Sequence, residues 1–226
     1  MVEPENRTNE SGIHTNEVTA WIATAQIRFN SGLEKLASIE TGEDMKQKGI
    51  WDAAYEEIDG HQVLTGVCWC EDAVSAVGLA VKRNLGFIRN LKLIDLYFDW
   101  RIHHQLLGFT VDEREFFLDP TYGQIAKEPN RFLFEHIEAI EPYYRPSEMR
   151  NREFKPKEYS KLAVIINRRT VSSIDYLLGV IEGRISIDEE ISRGRDEIET
   201  LLDNIIEGKV TGLSFKEALS RSNPDR

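Results

Sequence analysis

The sequence predicts an α+β fold in which one buried helix packs on a three-stranded antiparallel sheet. A run of small apolar residues over 73–81 follows Cys68, and its length and composition are typical of a buried helix. Beyond this run the pattern changes, and it predicts strands over 91–98, 103–111 and 115–118. One helix followed by consecutive hairpin-connected strands makes an α+β domain.

The N-terminal region is expected to be helical after a disordered tail. Residues 1–16 contain too few apolar side chains to offset the entropy cost of ordering them. From Glu17 to about Ile58 the apolar residues recur at mostly helical spacing. They predict two or three helices, broken near Gly32 and Gly42.

The main domain is expected over residues 17–150, followed by a helical C-terminal segment over 151–226. Ser186 and Glu189 match a capping box, which opens a predicted helix that ends near Gly208. This segment carries no chemical motif. A protein partner bound through its helices is therefore one expectation for it.

The composition excludes several classes of function. A net charge of −11 opposes binding to a phosphate backbone, which depends on clustered Lys and Arg, so we expect no nucleic-acid partner. No apolar run approaches the roughly 18 to 20 residues that cross a bilayer, and the N-terminus is too polar for a signal peptide. We expect no membrane partner and a cytoplasmic protein, with export by a signal-independent route left open.

The two cysteines, Cys68 and Cys70, are too close in sequence for an unstrained disulfide, which favours a reducing compartment. Cys68 lies at the predicted start of the buried helix, a position that favours a thiolate when a histidine is close. The helix dipole alone does not suffice, because Glu71 and Asp72 oppose a further negative charge there. A nucleophile at Cys68 therefore requires a histidine partner.

That partner is predicted at the start of the second strand. A hairpin centred on Asp112 pairs positions whose numbers sum to about 223, which places His104 directly opposite Asp119. At this separation the carboxylate holds one imidazole nitrogen and leaves the other for the thiol. The candidates for stabilising the oxyanion are the backbone N–H of Cys68 and the side-chain amide of Gln62. We expect neither a cofactor nor a metal.

Through these residues the chain resembles the papain-like and transglutaminase-like superfamily of cysteine enzymes. The resemblance is carried by Gly66-Val67-Cys68-Trp69, by a histidine at a strand start, and by Asp119-Pro120-Thr121-Tyr122-Gly123-Gln124. A tryptophan commonly follows the nucleophile in that superfamily, which favours Cys68 over Cys70. Papain-like members also carry a glutamine six positions before the nucleophile, where Gln62 stands.

The spacing of fifteen from His104 to Asp119, with the run that follows it, looks most like the bacterial toxin and effector branch that includes glutamine deamidases. The resemblance covers roughly residues 60 to 125. The chain departs from papain-like proteases because it lacks their long stretch between cysteine and histidine and an asparagine in the third role. Amide chemistry is therefore favoured over peptide-bond cleavage.

Other interpretations of the same residues stay open. Cys70 is interpreted as a small buried hydrophobe, and His103 as a structural residue, because adjacent strand positions face opposite sides. Asp119 before a proline is also a common turn former. Cys68, Cys70, His103 and His104 have the ligand types of a zinc site, although such sites usually space paired cysteines by about two to four residues. A redox pair of the two cysteines would be strained and highly oxidising.

The combination predicts a cysteine-dependent amide hydrolase or acyl transferase. It would act on a carboxamide or peptide as a deamidase, a transglutaminase-like enzyme or a cysteine peptidase. We expect a protein or peptide substrate whose recognition surface is neutral or basic, because this protein is acidic. The alternative is a catalytically inactive protein-binding module of the same fold.

Overall fold

A computed structural model of the chain describes residues 11–40, 55–58, 61–64, 69–97, 103–123, 132–137, 146–157, 160 and 162–194. Within these ranges, the side chains of residues 11–13, 40, 55–58, 61–64 and 103 are outside the description. The described residues form three helices and several antiparallel sheets. The predicted α+β class is therefore confirmed.

A single long helix, α1, spans Ser11–Glu40. Its core side chains recur every three or four residues and form one stripe, made of Val18, Ile22, Ala25, Phe29, Leu33 and Leu36. The predicted break near Gly32 is wrong. Gly32 lies inside α1, where a Cβ atom would come within 3.1 Å of Val180, so the glycine allows another helix to pack closely.

Residues 11–16 of the predicted tail are helical, as part of α1. The predicted break near Gly42 lies outside the described residues. The end of the predicted helical region is instead a hairpin, in which β1 (Tyr55–Ile58) pairs antiparallel with β2 (His61–Leu64). The Asp-Gly pair between them in the sequence is a strong hairpin signal.

The second helix, α2, spans Cys70–Asn84, with Trp69 at its N-cap position. The predicted helix start at or just after Cys68 is therefore confirmed. Ten of its residues are buried, and most of these are small, so the helix packs closely against its neighbours. Four residues separate α2 from β3 (Arg89–Tyr97), and α2 packs against the next strand of the sheet, over 103–111.

The predicted three strands form the centre of a larger sheet. β3, β4 (His103–Val111) and β5 (Arg114–Leu118) pair antiparallel in succession. β6 (Leu133–Phe134) adds to β5 and β7 (Glu148–Glu153) adds to β3, which gives five strands in the order β6-β5-β4-β3-β7. Sequence patterning missed the two edge strands, because β6 is very short and β7 is mostly charged and exposed throughout.

The turn between β4 and β5 sets their register. Asp112 and Glu113 are both left-handed, with φ of 47° and 67°, and they form the two-residue turn typical of hairpins. Val111 is therefore opposite Arg114. The prediction that His104 lies directly opposite Asp119 is wrong by two residues, because the numbers of paired residues sum to 225, as for Val111 and Arg114, instead of about 223.

The five-stranded sheet is buried on both faces. One face belongs to the main core with α1 and α2, and contributes Leu93, Leu107, Phe109, Phe116 and Leu118. The other face belongs to a second cluster, made of Ile94, Leu96, Leu106, Phe117, Tyr122 and Phe134. Alternation along the strands assigns the even-numbered residues of β3 and β4 to this second face.

The described C-terminal residues contain more strand than predicted. β8 (Ala163–Ile166) pairs with β9 (Arg169–Ser172) and with β10 (Ile191–Arg193), and α3 spans Ser173–Ile181. The prediction of an entirely helical segment is therefore wrong.

The predicted capping box is only partly present in the described residues. The N–H of Ser186 donates to Glu189 Oε1 at 3.3 Å, but the residues that follow enter strand β10 instead of a helix. Residues 195–226, with the predicted helix end, lie outside the described residues.

The predicted boundary at 150 falls within β7. Residues on both sides of this position contribute to the main core, including Phe109 before it and Tyr176 and Leu177 after it. Residues on both sides of the predicted boundary thus contribute to the main core. None of the helices described is long and apolar enough to cross a membrane.

Candidate active site

The structure brings His104 and Asp119 into contact. His104 Nε2 lies 2.9 Å from Asp119 Oδ2, and the two side chains are 2% and 0% exposed. His104 is the second residue of β4, and Asp119 directly follows β5. The contact therefore closes the end of the hairpin that is remote from its turn. Its assignment to catalysis stays a prediction.

The contact is diagonal. In the observed register, extended along the strands, Asp119 stands opposite Leu106, which lies two residues from His104 on the same face. Diagonal neighbours in an antiparallel pair are about 7–8 Å apart, a distance that an imidazole side chain helps to span. A register error of two residues preserves the alternation of faces, so His104 and Asp119 share a face in either register.

Local hydrogen bonds hold Asp119 in place. The Thr121 N–H donates to Asp119 Oδ1 at 3.0 Å, and the Thr121 hydroxyl lies 3.4 Å from the same oxygen. The Asp119 N–H donates to the carbonyl of Phe132 at 2.8 Å. The turn-forming role of Asp119 is therefore present together with its contact to His104, since one carboxylate oxygen serves each.

Apolar side chains surround the pair. Leu96 is the cross-strand partner of His104, and Leu106 and Tyr122 belong to the same buried cluster. In such a low-dielectric setting the attraction between an imidazolium and a carboxylate is strong, and either charge alone is costly. The pair is consequently expected to act as one unit.

α2 and the His104–Asp119 pair lie on opposite faces of the five-stranded sheet. The hydrogen bond to Asp95, and to a smaller extent the charge of Glu71, raise the pKa of Arg152. Glu71, in the first turn of α2, thus acts on the side chain that binds Asp95 near the end of β3. However, α2 covers the main-core face, whereas His104 and Asp119 lie on the second face. The pair and the helix therefore do not share a face of the sheet.

The remaining predicted site residues are described only in part. Cys68 lies outside the described residues. Gln62 stands in β2 opposite Glu57, and its side chain is outside the description. His103 opens β4 opposite Tyr97, also without a described side chain. Cys70 begins α2 and is buried, as a small structural hydrophobe should be.

Sequence patterning missed a buried polar cluster on the face that α2 covers. Asp95 accepts a hydrogen bond from Gln105 Nε2 at 2.8 Å and two from Arg152, at 2.6 and 3.2 Å. The signal was available, since Asp95 is the single acid of β3 and lies between the apolar residues Ile94 and Leu96. The cluster ties β3, β4 and β7 together on that face.

A second polar cluster anchors the first turn of α2 to the C-terminal residues. The Asp72 carboxylate accepts hydrogen bonds from Ser160, from Ser173 at the start of α3, and from Lys157. Burial opposes the charge of Lys157, but the contacts with Glu71 and Asp72 outweigh it and raise the pKa of Lys157. The start of the helix that follows Cys68 is thus fixed by a network of charges and hydroxyls.

Among the described residues, no group of three or more His, Cys, Asp or Glu side chains is arranged to hold a metal ion. Cys68 and the side chain of His103 are outside the description, so the zinc alternative stays open.

No protein-family model matches the chain, and neither a curated protein nor a solved structure matches it. The resemblance to papain-like and transglutaminase-like enzymes therefore rests on this chain's own residues.

Proposed function

We propose that the protein is a cysteine-dependent amide hydrolase or acyl transferase of the papain-like and transglutaminase-like kind. Cys68 is the nucleophile, His104 the base and Asp119 the group that orients the base. The observation that supports this best is the buried contact between His104 Nε2 and Asp119 Oδ2, at 2.9 Å. A histidine held by a carboxylate, near a helix that follows a cysteine, is what thiol-dependent acyl transfer requires.

The contact assigns different tasks to the two ring nitrogens of His104. Asp119 holds Nε2, so Nδ1 is the nitrogen that exchanges a proton with the thiol. The carboxylate favours the tautomer that this exchange needs and stabilises the imidazolium that faces the thiolate. Because Thr121 holds the other carboxylate oxygen, the orientation of the ring is set by the fold.

The reaction proceeds in two halves. The thiolate of Cys68 attacks the carboxamide carbon, and the C–N bond breaks as His104 gives its proton to the departing nitrogen. Ammonia or an amine leaves, and a thioester remains on Cys68. His104 then takes a proton from water or an acceptor amine, which attacks the thioester carbon, and the C–S bond breaks to restore the thiolate. We assign the oxyanion to the Cys68 N–H and the Gln62 amide.

The position of the pair places a condition on this proposal. Cys68 precedes α2 by two residues, whereas His104 lies on the face of the sheet that α2 does not cover. Since α2 covers the opposite face, the thiol must reach His104 around the end of the sheet. His103, the neighbouring residue in β4, occupies the alternate strand position and is therefore the natural comparison.

We further propose a protein or peptide substrate that carries a carboxamide, recognised through a neutral or basic surface. The net charge of −11 favours such partners through electrostatic complementarity. We place the reaction in the cytoplasm, a reducing compartment that keeps Cys68 as a thiol.

Iodoacetamide labelling of the native chain tests nucleophile and base together. Labelling is followed across roughly pH 5 to 9 and assigned to Cys68 or Cys70 by fragmentation mass spectrometry. The variant His104→Gln keeps a hydrogen-bond donor for Asp119 but removes the base. The matched control is His103→Gln, which makes the same change at the next residue of the same strand.

We expect Cys68 to label rapidly near about pH 6, well below the usual thiol range of about 8.5, and Cys70 to stay protected until the chain unfolds. This reactivity should disappear in His104→Gln and persist in His103→Gln. Loss in His103→Gln alone would show that the His104–Asp119 pair is structural. If Cys68 is as inert as Cys70, the protein is better explained as a binding module without turnover.

A further inference from the structure

The outer edge of β7 has the properties of a self-complementary interface, independent of the proposed chemistry. β7 is an outermost strand of the five-stranded sheet, and all six of its residues are exposed. In the part of the chain that the structure describes, no strand pairs with its outer side. An open edge of this length is a template for another strand unless its side chains prevent pairing.

The direction of the backbone groups limits how a strand can add to this edge. The Phe154 N–H donates to the Leu91 carbonyl in the register of the β3–β7 ladder. Hydrogen-bonded pairs alternate along an antiparallel ladder, so the even-numbered residues of β7 direct their N–H and C=O groups toward β3. The odd-numbered residues Met149, Asn151 and Glu153 direct theirs outward and are available to a partner strand.

The side chains of β7 differ between its two sides. On one side Arg150 donates two hydrogen bonds to the Glu148 carboxylate, at 2.5 and 3.0 Å, and its guanidinium lies 5.0 Å from the centre of the Tyr97 ring. Both charges are thus held in place while they remain exposed. On the other side Met149, a large apolar residue, is 48% exposed.

We propose that β7 pairs antiparallel with β7 of a second copy of this chain, about a two-fold axis at Met149. In this register Met149 exchanges hydrogen bonds with Met149 of the second copy. The Asn151 N–H donates to the Ser147 carbonyl of the second copy, while the Ser147 N–H stays bonded to the Tyr97 carbonyl of its own sheet at 2.8 Å. Glu148 lies opposite Arg150 of the second copy, and the two-fold axis repeats this contact. Two exposed methionines meet on one face, and four alternating charges meet on the other.

Neighbouring registers are disfavoured because they bring like charges together. An axis at Arg150 places two guanidinium groups opposite each other, and an axis at Glu148 does the same with two carboxylates. An axis at Asn151 places Arg150 opposite Arg152. Charges on an edge strand ordinarily prevent association, whereas here they permit a single register.

The expected dimer is weak, because one pair of strands buries less than the roughly 1,200–2,000 Å² of a stable interface. Sedimentation velocity of the full chain over about 1 to 300 μM should show concentration-dependent dimerisation. Glu148→Arg and Arg150→Glu should each raise the dissociation constant about tenfold or more, because each change turns two attractive contacts into repulsive ones. The double variant Glu148→Arg with Arg150→Glu should restore the wild-type constant.

Arg114→Glu is the matched control. Arg114 forms an equally exposed ion pair with Glu135 on another strand of the sheet, so its reversal should leave dimerisation unchanged. Met149→Glu tests the same interface without changing Glu148 or Arg150. It should also weaken dimerisation, because it places two carboxylates at the two-fold axis.

Amide exchange provides a check on the register. The Met149 and Asn151 amides should become protected as concentration rises, while the Glu148 and Arg150 amides, already bonded within the sheet, should not change. A wild-type chain that stays monomeric to about 300 μM, or a double variant no tighter than the single ones, would overturn the proposal.

Discussion

Replacement of Asp119 separates the structural role of the His104–Asp119 pair from its chemical role. Asp119 is fully buried and accepts hydrogen bonds from His104 at 2.9 Å and from the Thr121 N–H at 3.0 Å. Alanine leaves both partners buried without their acceptor. Removing one member of a buried pair costs about 3–5 kcal/mol, and we expect Asp119→Ala to lower the free energy of unfolding by that amount at pH 7.

Asp119→Asn is expected to preserve the fold and still abolish the chemistry. The amide oxygen can accept the Thr121 N–H, and the amide nitrogen can donate to His104 Nε2. Only the negative charge, which strengthens both hydrogen bonds, is lost. We therefore expect Asp119→Asn to lower the free energy of unfolding by less, about 1–2 kcal/mol. However, a donor at Nε2 moves the ring proton to Nδ1, the nitrogen assigned to the thiol. Rapid labelling of Cys68 near about pH 6 should therefore disappear.

Urea unfolding followed by tryptophan fluorescence measures the stability of both variants. The matched controls are Asp188→Ala and Asp188→Asn, at an exposed position where we expect changes within about 0.5 kcal/mol. If Asp119→Ala unfolds no more easily than Asp188→Ala, the buried His104–Asp119 pair does not contribute to the free energy of unfolding. If Asp119→Asn retains the labelling profile of the wild type, Asp119 does not orient the base.

Three further changes test the packing around the site. Burial, and secondarily the charge of Glu189, raise the pKa of Tyr176 to about 12, and its hydroxyl has no hydrogen-bond partner among the described residues. Because the unfolded chain loses this proton near about pH 10, stability should fall between about pH 10 and 12. Tyr176→Phe should make that decline shallower and should stabilise the protein by about 1 kcal/mol at pH 7, whereas an unchanged alkaline decline would contradict this. Glu113→Gly should raise the free energy of unfolding by about 1 kcal/mol, since φ is 67° there, and a lower thermal midpoint would show that the turn is not left-handed. Gly78→Ala should cost about 1–3 kcal/mol, because its Cβ would come within 2.4 Å of the Phe154 ring, and adding Phe154→Leu should reduce that cost if this clash is its cause.

The contact between His104 and Asp119 could be predicted because it depends on local features of the chain. Both residues flank one hairpin, and alternation along its strands keeps them on one face even when the register is off by two residues. The start of α2 near Cys68 was predictable for a similar reason, since a continuous run of small apolar residues signals a buried helix. The register itself required the conformations of Asp112 and Glu113, which the sequence did not specify.

Other features depend on residues distant in sequence. Asp95 was visible as an acid between two apolar residues of a strand, but its partners Gln105 and Arg152 come from two other strands. The edge strand β7 has no apolar pattern that would predict it. Its position is determined by its pairing with β3. Similarly, the residues after Ser186 form β10 instead of a helix, since β8 offers a strand to pair with.

By itself the sequence determined the α+β class, the helix after Cys68, the central strands and the shared face of His104 and Asp119. Only the tertiary structure decided which face of the sheet α2 covers. Both faces present apolar residues, such as Leu107 on one and Leu106 on the other, so strand alternation alone does not distinguish them. That choice depends on the combined burial offered by α1, α2 and α3 on one side, and local sequence patterns do not encode such long-range packing.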